Sequence, residues 1–143
     1  MATIASDLST TDKSGVTGPL SRKVMHYGDV IERTVRAAKE PGFTEAGWDK
    51  LASLLAANFE RVGNDKVAMG WDVYRGLLMQ WGGTTDFRSD FRRISEVGNL
   101  VFLELTEHNI PRGGQETVVN SLSLYEFDQA GKIVHLDIYL QHD

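Results

Sequence analysis

The chain has no cysteine and only three prolines among its 143 residues. Without cysteine, neither a disulfide framework nor thiol chemistry is available. No apolar run reaches the roughly 18 residues that cross a membrane, and the N-terminus lacks the basic start and apolar stretch of a signal peptide. A cytoplasmic protein with no membrane partner is therefore expected. Pro19, Pro41 and Pro111 all fall in predicted breaks between elements, which supports the segmentation below.

Positive charge is also scarce. Lys and Arg number 15 against 20 Asp and Glu, a net charge of −5. Nucleic acid is excluded as an expected partner, because neutralising phosphates needs a basic surface. Residues 1–20 are rich in Ser, Thr and Gly and form a polar N-terminal arm. Residues 21–143 are expected to form one domain, because the hydrophobic content of 41% suffices for a single core.

The C-terminal part predicts an antiparallel sheet. Residues 97–109, 117–127 and 132–141 are β-rich, and the last segment alternates strictly between apolar and polar side chains. Turn-forming residues 128–131 join the last two strands, and Gly98-Asn99 is a hairpin turn that requires a strand upstream, at residues 86–96. These segments predict a four-stranded meander.

The preceding residues predict helices and a short hairpin. Residues 21–39 carry apolar side chains at spacings of three and four. Thr44 is a candidate cap for a second helix, whose apolar stripe is Trp48, Leu51, Leu55 and Phe59. A short hairpin follows over residues 59–69, and residues 71–81 form a third helix that ends at Gly82-Gly83. The predicted fold is therefore α+β, a cone-shaped curved antiparallel sheet with three N-terminal helices packed on its concave face.

The alternation of the strands predicts which side chains face the helices. Val134, Leu136, Ile138 and Leu140 share one face of the last strand. The matching positions on the other two strands are Leu103, Leu105, Glu107, Asn109, Val119, Ser121, Ser123 and Tyr125. Such a wall is apolar with a polar end, and the mouth of the cone is a candidate ligand pocket.

At this point the chain resembles the nuclear transport factor 2-like (NTF2-like) superfamily, in its SnoaL-like and ketosteroid-isomerase-like branch. The resemblance covers residues 22–141 and rests on the Gly70-Trp71-Asp72-x-Tyr74 helix start, the Gly98-Asn99 turn and the ending FDQAGKIV at residues 127–134. It implies a homodimer, and an activity that ranges from isomerase, cyclase, dehydratase or epoxide hydrolase to binding without catalysis.

The resemblance also assigns functional positions one by one. The two acids of ketosteroid isomerases fall on Arg61 and Ser123, so that mechanism is not expected here. The arginine and two aspartates of limonene-type epoxide hydrolases fall on Leu105, Glu107 and Ile138, so one acidic role survives. The H-W-D-like strand of SnoaL-type cyclases is similar to His135-Leu136-Asp137, but one residue out of register. Only a bulge would turn that pair inward, because a one-residue slip reverses the face.

Two candidate site assignments follow. Glu107 and Arg61 are the first catalytic pair, acting as acid or base and as a charge stabiliser, or else forming a structural salt bridge. His135 and Asp137 are the second pair, or else they make polar contacts at a dimer interface. The remaining candidates contact substrate or belong to the core; they are Trp71, Tyr74, Leu103, Leu105, Asn109, Ser121, Ser123, Tyr125, Leu136 and Ile138. No metal site and no cofactor is expected.

Two functions remain open from the sequence. One is a cofactor-free enzyme that transfers protons on a polyketide-, terpenoid- or steroid-like substrate. The other is a binding or dimerisation module without chemistry. An open apolar cavity with Glu107 at its base favours the enzyme, whereas a cone filled by Trp71, Tyr74 and Leu136 favours the module. A homodimer is expected through the outer sheet face, which carries Phe102, Thr106, Leu122, Leu124, His135 and Tyr139.

Overall fold

The computed structural model describes residues 15–142. The helices are α1 (Pro19–Ala37), α2 (Asp49–Ala52), preceded by a 3-10 helix at Glu45–Trp48, and α3 (Trp71–Thr84). The strands are β1 (Leu55–Val62), β2 (Ala68–Met69), β3 (Thr85–Val97), β4 (Leu100–Pro111), β5 (Thr117–Phe127) and β6 (Ile133–Gln141). Residues 1–14 of the predicted arm lie outside the described part. Among residues 15–142, no helix combines the length and apolar character needed to cross a membrane.

The six strands form one curved, unclosed sheet in the order β2-β1-β6-β5-β4-β3. The predicted meander of β3 to β6 is confirmed, and Gly98 makes the β3–β4 turn with a φ of 59°, a conformation that glycine adopts at little cost. β1 runs parallel to β6, beyond the predicted meander. The helices pack against the sheet, which gives the predicted α+β cone.

The second helix differs from its prediction. It ends at Ala52, so Leu55 and Phe59 are not on a helical stripe but on β1. Both side chains are nevertheless buried, at 8% and 2% exposure. Apolar residues four apart also share a face of a strand, which is why spacing alone misassigned them. Thr44 precedes the 3-10 helix but makes no capping hydrogen bond with its side chain.

Helix α1 begins two residues earlier than predicted, at Pro19, where the missing N–H of proline costs nothing. The Ser21 amide and hydroxyl both donate to Oε1 of Glu96, at 2.7 and 2.8 Å. This carboxylate ties the start of α1 to the end of β3. The C-terminal end of α3 also differs from its prediction, because the helix continues through Gly82-Gly83 to Thr84.

Two β-bulges set which side chains meet the core. Arg92 is the extra residue in β3, so Phe91 and Ile94 are both fully buried although they lie three apart. Val134 is the extra residue before the regular part of β6. Contrary to the predicted alternation, Val134 is only half-buried, and Ile133 takes its place in the core.

Candidate functional site

A cavity of about 430 Å³ lies between the concave sheet face and the helices α1 and α3. Most of its wall is aliphatic or aromatic, and the strands β4, β5 and β6 contribute alternate residues to it because side chains of a strand have period two. Its polar residues include Arg61, Glu107, Asn109, Ser123 and three tyrosines. The geometry is that of a small-molecule site, an apolar hollow with a few converging polar groups.

Glu107 projects from β4 into this cavity, between Ser89 of β3 and Val119 of β5 in the register. Burial raises the pKa of Glu107, and neither the nearby Ser121 hydroxyl nor the charge of Arg61 offsets this fully. The protonated form therefore persists to higher pH than in an exposed glutamate. The Ser121 hydroxyl itself makes no hydrogen bond of normal geometry within residues 15–142.

Arg61 enters the cavity from the end of β1, where it lies in register with Leu136 of β6 and Met69 of β2. Its guanidinium carbon lies 5.1 Å from the ring centroid of Tyr74, a cation–π arrangement. Among the described residues, Arg61 forms no ion pair with Glu107 or another carboxylate, and its buried Nε has no hydrogen-bond partner. The predicted alternative of a closed Arg61–Glu107 salt bridge is thus wrong for this structure.

Three tyrosines surround the base of the cavity beside Arg61. The hydroxyls of Tyr27 and Tyr74 share a buried hydrogen bond of 2.6 Å, and the rings of Tyr27 and Tyr125 meet edge to face at 5.4 Å. Burial raises the pKa of all three hydroxyls, and the charge of Arg61 offsets only part of it. All three are therefore protonated hydrogen-bond donors at neutral pH.

Another polar group of the cavity is fixed by a tryptophan. Trp81 donates from Nε1 to Oδ1 of Asn109 at 3.0 Å, and its ring meets Phe87 edge to face at 5.0 Å. The bond leaves the amide nitrogen of Asn109 as the group available to a ligand. Asn109 was predicted as a substrate contact, and Trp81 explains how its orientation is set.

The structure gathers most of the predicted site residues around one cavity. These are Arg61, Tyr74, Leu103, Leu105, Glu107, Asn109, Ser123, Tyr125 and Ile138. Trp71, Ser121 and Leu136 do not line it. Leu136 is completely buried in the core, and Trp71 packs edge to face on Tyr74, so it supports the wall from behind.

His135 and Asp137 do not reach the cavity. The bulge at Val134 lies before them and leaves them in register with Glu126 and Leu124, on the outer face of the sheet. There His135 Nε2 and Asp137 Oδ1 are 2.8 Å apart. A bulge could have turned the pair inward, but this one sits at the wrong place in the strand. In this position the pair cannot touch a ligand bound in the cone.

Tyr27 is the main site residue that the sequence analysis did not single out. It lies on the apolar stripe of α1 and is 2% exposed. Nothing in the helical spacing distinguishes it from its core neighbours. A hydroxyl on an otherwise apolar stripe was the available signal, because a buried tyrosine needs a polar partner. Phe87, Leu77, Leu78 and Ile31 are further apolar residues of the wall that the analysis did not single out.

No protein-family model and no curated protein sequence matches this chain. Solved structures match it by fold. An NTF2-like protein of unknown function from Exiguobacterium sp. 255-15 aligns over 85% of this chain and 99% of its own, with 17% identity and a TM-score of 0.68. An LEH-like epoxide hydrolase from M. tuberculosis aligns over 82% and 84%, with 19% identity and a TM-score of 0.59. A candidate SnoaL-like polyketide cyclase from Shewanella putrefaciens CN-32 aligns over 90% and 83%, with 11% identity and a TM-score of 0.68. The chain therefore has the NTF2-like fold, as its sequence resemblance predicted.

Proposed function

We propose that this chain is a small cofactor-free enzyme that transfers protons on an apolar ring-containing substrate held in the cavity. The observation that carries the proposal is the environment of Glu107. A carboxyl group buried in an apolar cavity, with its pKa raised, is suited to donate a proton as a general acid. The reaction class is that of isomerases, cyclases, dehydratases or epoxide hydrolases, and the fold shared with an epoxide hydrolase supports it by analogy.

The roles of the neighbouring residues follow from their chemistry. Glu107 protonates a substrate oxygen, or removes a proton from carbon once it has ionised. Arg61 and the hydroxyl of Tyr125 stabilise negative charge on a substrate oxygen, because preorganised donors in a water-poor cavity act strongly on such charge. The apolar wall from Leu103, Leu105 and Ile138 holds the substrate ring against them.

The test is turnover by Glu107→Gln, which keeps the size of the side chain and removes its titration. Cyclic ketones in deuterium oxide report proton abstraction, and aryl epoxides in heavy-oxygen water report ring opening. We expect the wild-type protein to turn over at least one of these compounds. In Glu107→Gln the turnover should fall by about 100-fold or more, with ligand binding retained. Glu104→Gln is the matched control, since Glu104 lies on the same strand but pairs with Arg93 on the outer face.

The alternative is a binding module without chemistry. A protein that binds polycyclic ligands but turns over none of the panel supports this alternative. Full activity in Glu107→Gln contradicts the assignment of Glu107 as the acid. If the variant instead loses melting temperature while each folded molecule keeps its turnover, the role of Glu107 is structural.

We also propose that two copies of the chain associate through the outer sheet face. Leu122 and Tyr139 are 39% and 57% exposed there, beside half-buried Phe102 and Leu124. Apolar side chains grouped on the face opposite the cavity support an interface between copies. In such a dimer, His135 and Asp137 contact the partner rather than the substrate.

A further inference from the structure

The deep part of the cavity has hydrogen-bond donors in excess of acceptors. Arg61 keeps a buried Nε–H without a partner among residues 15–142. Tyr27 and Tyr74 share one hydrogen bond, which leaves one hydroxyl hydrogen of the pair free to donate. The Tyr125 hydroxyl makes no hydrogen bond within the described part of the chain, and Tyr125 lines the same cavity. A bound group that accepts several hydrogen bonds would satisfy this cluster.

The charged groups of the cavity also favour an anionic ligand. Apart from His142, the lining residues that can carry charge are Arg61 and Glu107. Burial raises the pKa of Glu107, which reduces its negative charge at a given pH, whereas Arg61 stays charged at all relevant pH values. A partly buried guanidinium without a carboxylate is costly, because it has lost part of its hydration with no ion to replace it.

Other carboxylates do not neutralise Arg61 in the described structure. Its Nη1 lies toward the turn at Gly63, and the Asp65 carboxylate borders the same turn. Asp65 instead accepts a hydrogen bond of 3.0 Å from the Val67 amide and forms no ion pair with Arg61. The guanidinium lies between this turn and Tyr74, whose hydroxyl it also influences, and it has no carboxylate partner among residues 15–142, so its fork of donors can bind a planar anion.

We propose that the ligand of this cavity carries a carboxylate on an apolar ring body, and that Arg61 binds the carboxylate beside Tyr74 and Tyr125. The ring then lies along the apolar wall. The inference deepens the proposed function by naming the substrate class, and it rests on that function only in taking the cavity as the substrate site. The acid group is present before the reaction, which distinguishes it from negative charge that forms only during turnover.

The test compares an acid with its neutral isostere. Isothermal titration calorimetry with 2-naphthoate and 2-naphthamide measures the preference of the wild-type protein for the anion. We expect the acid to bind about 10-fold tighter or more, the usual strength of a charge-assisted hydrogen bond, and the preference to shrink as salt is added. Arg61→Met, which keeps the length of the side chain without its charge, should bring the ratio of the two affinities close to one.

Arg75→Met is the matched control. Arg75 lies on α3, does not line the cavity, and contacts Glu45 and Asp72 at 3.4 and 3.6 Å. Its loss changes the net charge equally and should leave the preference for the acid intact. Equal or tighter binding of the amide by the wild type overturns the inference, as does binding of neither probe, or a preference that survives in Arg61→Met. If Arg61→Met does not fold, the wild-type ratio and its salt dependence decide.

The two proposals fail separately. A wild-type protein that prefers naphthoate through Arg61 but turns over none of the ketones and epoxides, in a panel that includes ring compounds bearing a carboxylate, refutes the enzyme and sustains the anionic ligand. A protein whose turnover depends on Glu107 but which shows no preference for naphthoate over naphthamide sustains the enzyme and refutes the anionic ligand.

Discussion

Two glutamates on one strand show how position decides chemistry at the scale of the residue. Glu104 and Glu107 are three apart on β4 and therefore point to opposite faces. The hydrogen bonds and charge of Arg93 hold the pKa of Glu104 below its usual range. Burial in the cavity raises the pKa of Glu107. The Glu104 carboxyl is thereby kept ionised on the surface, whereas the Glu107 carboxyl stays protonated to higher pH.

This contrast predicts opposite effects of pH on stability. Because folding raises the pKa of Glu107, its contribution is fully present below the ordinary glutamate pKa of about 4.3 and is lost as pH rises through the raised value. The free energy of unfolding of wild type minus that of Glu107→Gln should therefore fall as pH rises above this point. Denaturant titrations of both proteins between about pH 4 and about pH 8 measure the difference.

Glu104→Gln gives the control of opposite sign. The pKa of Glu104 is lowered by folding, so its contribution is present above the ordinary glutamate pKa of about 4.3 and is lost as pH falls below it, a range reached by extending the titrations below about pH 4. Curves for wild type and Glu107→Gln that stay parallel over the whole range would contradict the burial effect assigned to Glu107.

At the scale of the element, β6 holds the core and the cavity together. It lies between β1 and β5, and successive inward residues have different surroundings along it. Leu136 is 0% exposed, in register with Tyr125 of β5. Ile138, the next inward residue, lines the cavity. The strand thus changes from structural to ligand-facing within two residues.

Leu136→Ala should lower the free energy of unfolding by about 2–5 kcal/mol, from lost burial and the cavity it leaves. Ile138→Ala, the matched control, removes a side chain that already borders open space, so it should cost less than about 2 kcal/mol. Chemical denaturation of both variants measures the difference. An unchanged midpoint for Leu136→Ala would mean that its inward assignment is wrong.

At the scale of the whole molecule, the curved sheet has two faces with different uses. The concave face and the helices enclose the cavity, while the outer face combines apolar side chains with ion pairs such as Arg93–Glu104. Leu124 lies half-buried near its centre, in register with Phe102 and Asp137. The proposed dimer would bury this face without closing the mouth of the cone.

Leu124→Arg should dissociate that dimer, because an unpaired charge in a packed interface costs about 3–5 kcal/mol. Sedimentation velocity at micromolar concentration distinguishes dimer from monomer. Val73→Arg is the control, since Val73 is 59% exposed on α3 and lies away from the outer face. A wild-type protein that sediments as a monomer refutes the dimer.

The sequence by itself determined the meander of β3 to β6 and most of its inward face. These features are local, because alternation, the Gly98-Asn99 turn and the 128–131 turn each act over a few residues. The same locality placed Glu107, Ser123 and Tyr125 on one side of the sheet. The family resemblance, in turn, identified Arg61 as a neighbour of that side.

Only the tertiary structure decided the rest. β1 begins at Leu55, before the predicted hairpin of residues 59–69, because it also pairs in parallel with β6, some 75 residues later in the chain, and no local spacing encodes such a partner. The bulge at Val134 places Ile133 instead of Val134 in the core, and it leaves His135 and Asp137 on the outer face of the sheet. Tyr27 joins Tyr74 because α1 crosses the cone at that point. Charge and burial around Glu107 depend on all of these elements together, since desolvation is set by every group that surrounds it and not by the sequence beside it.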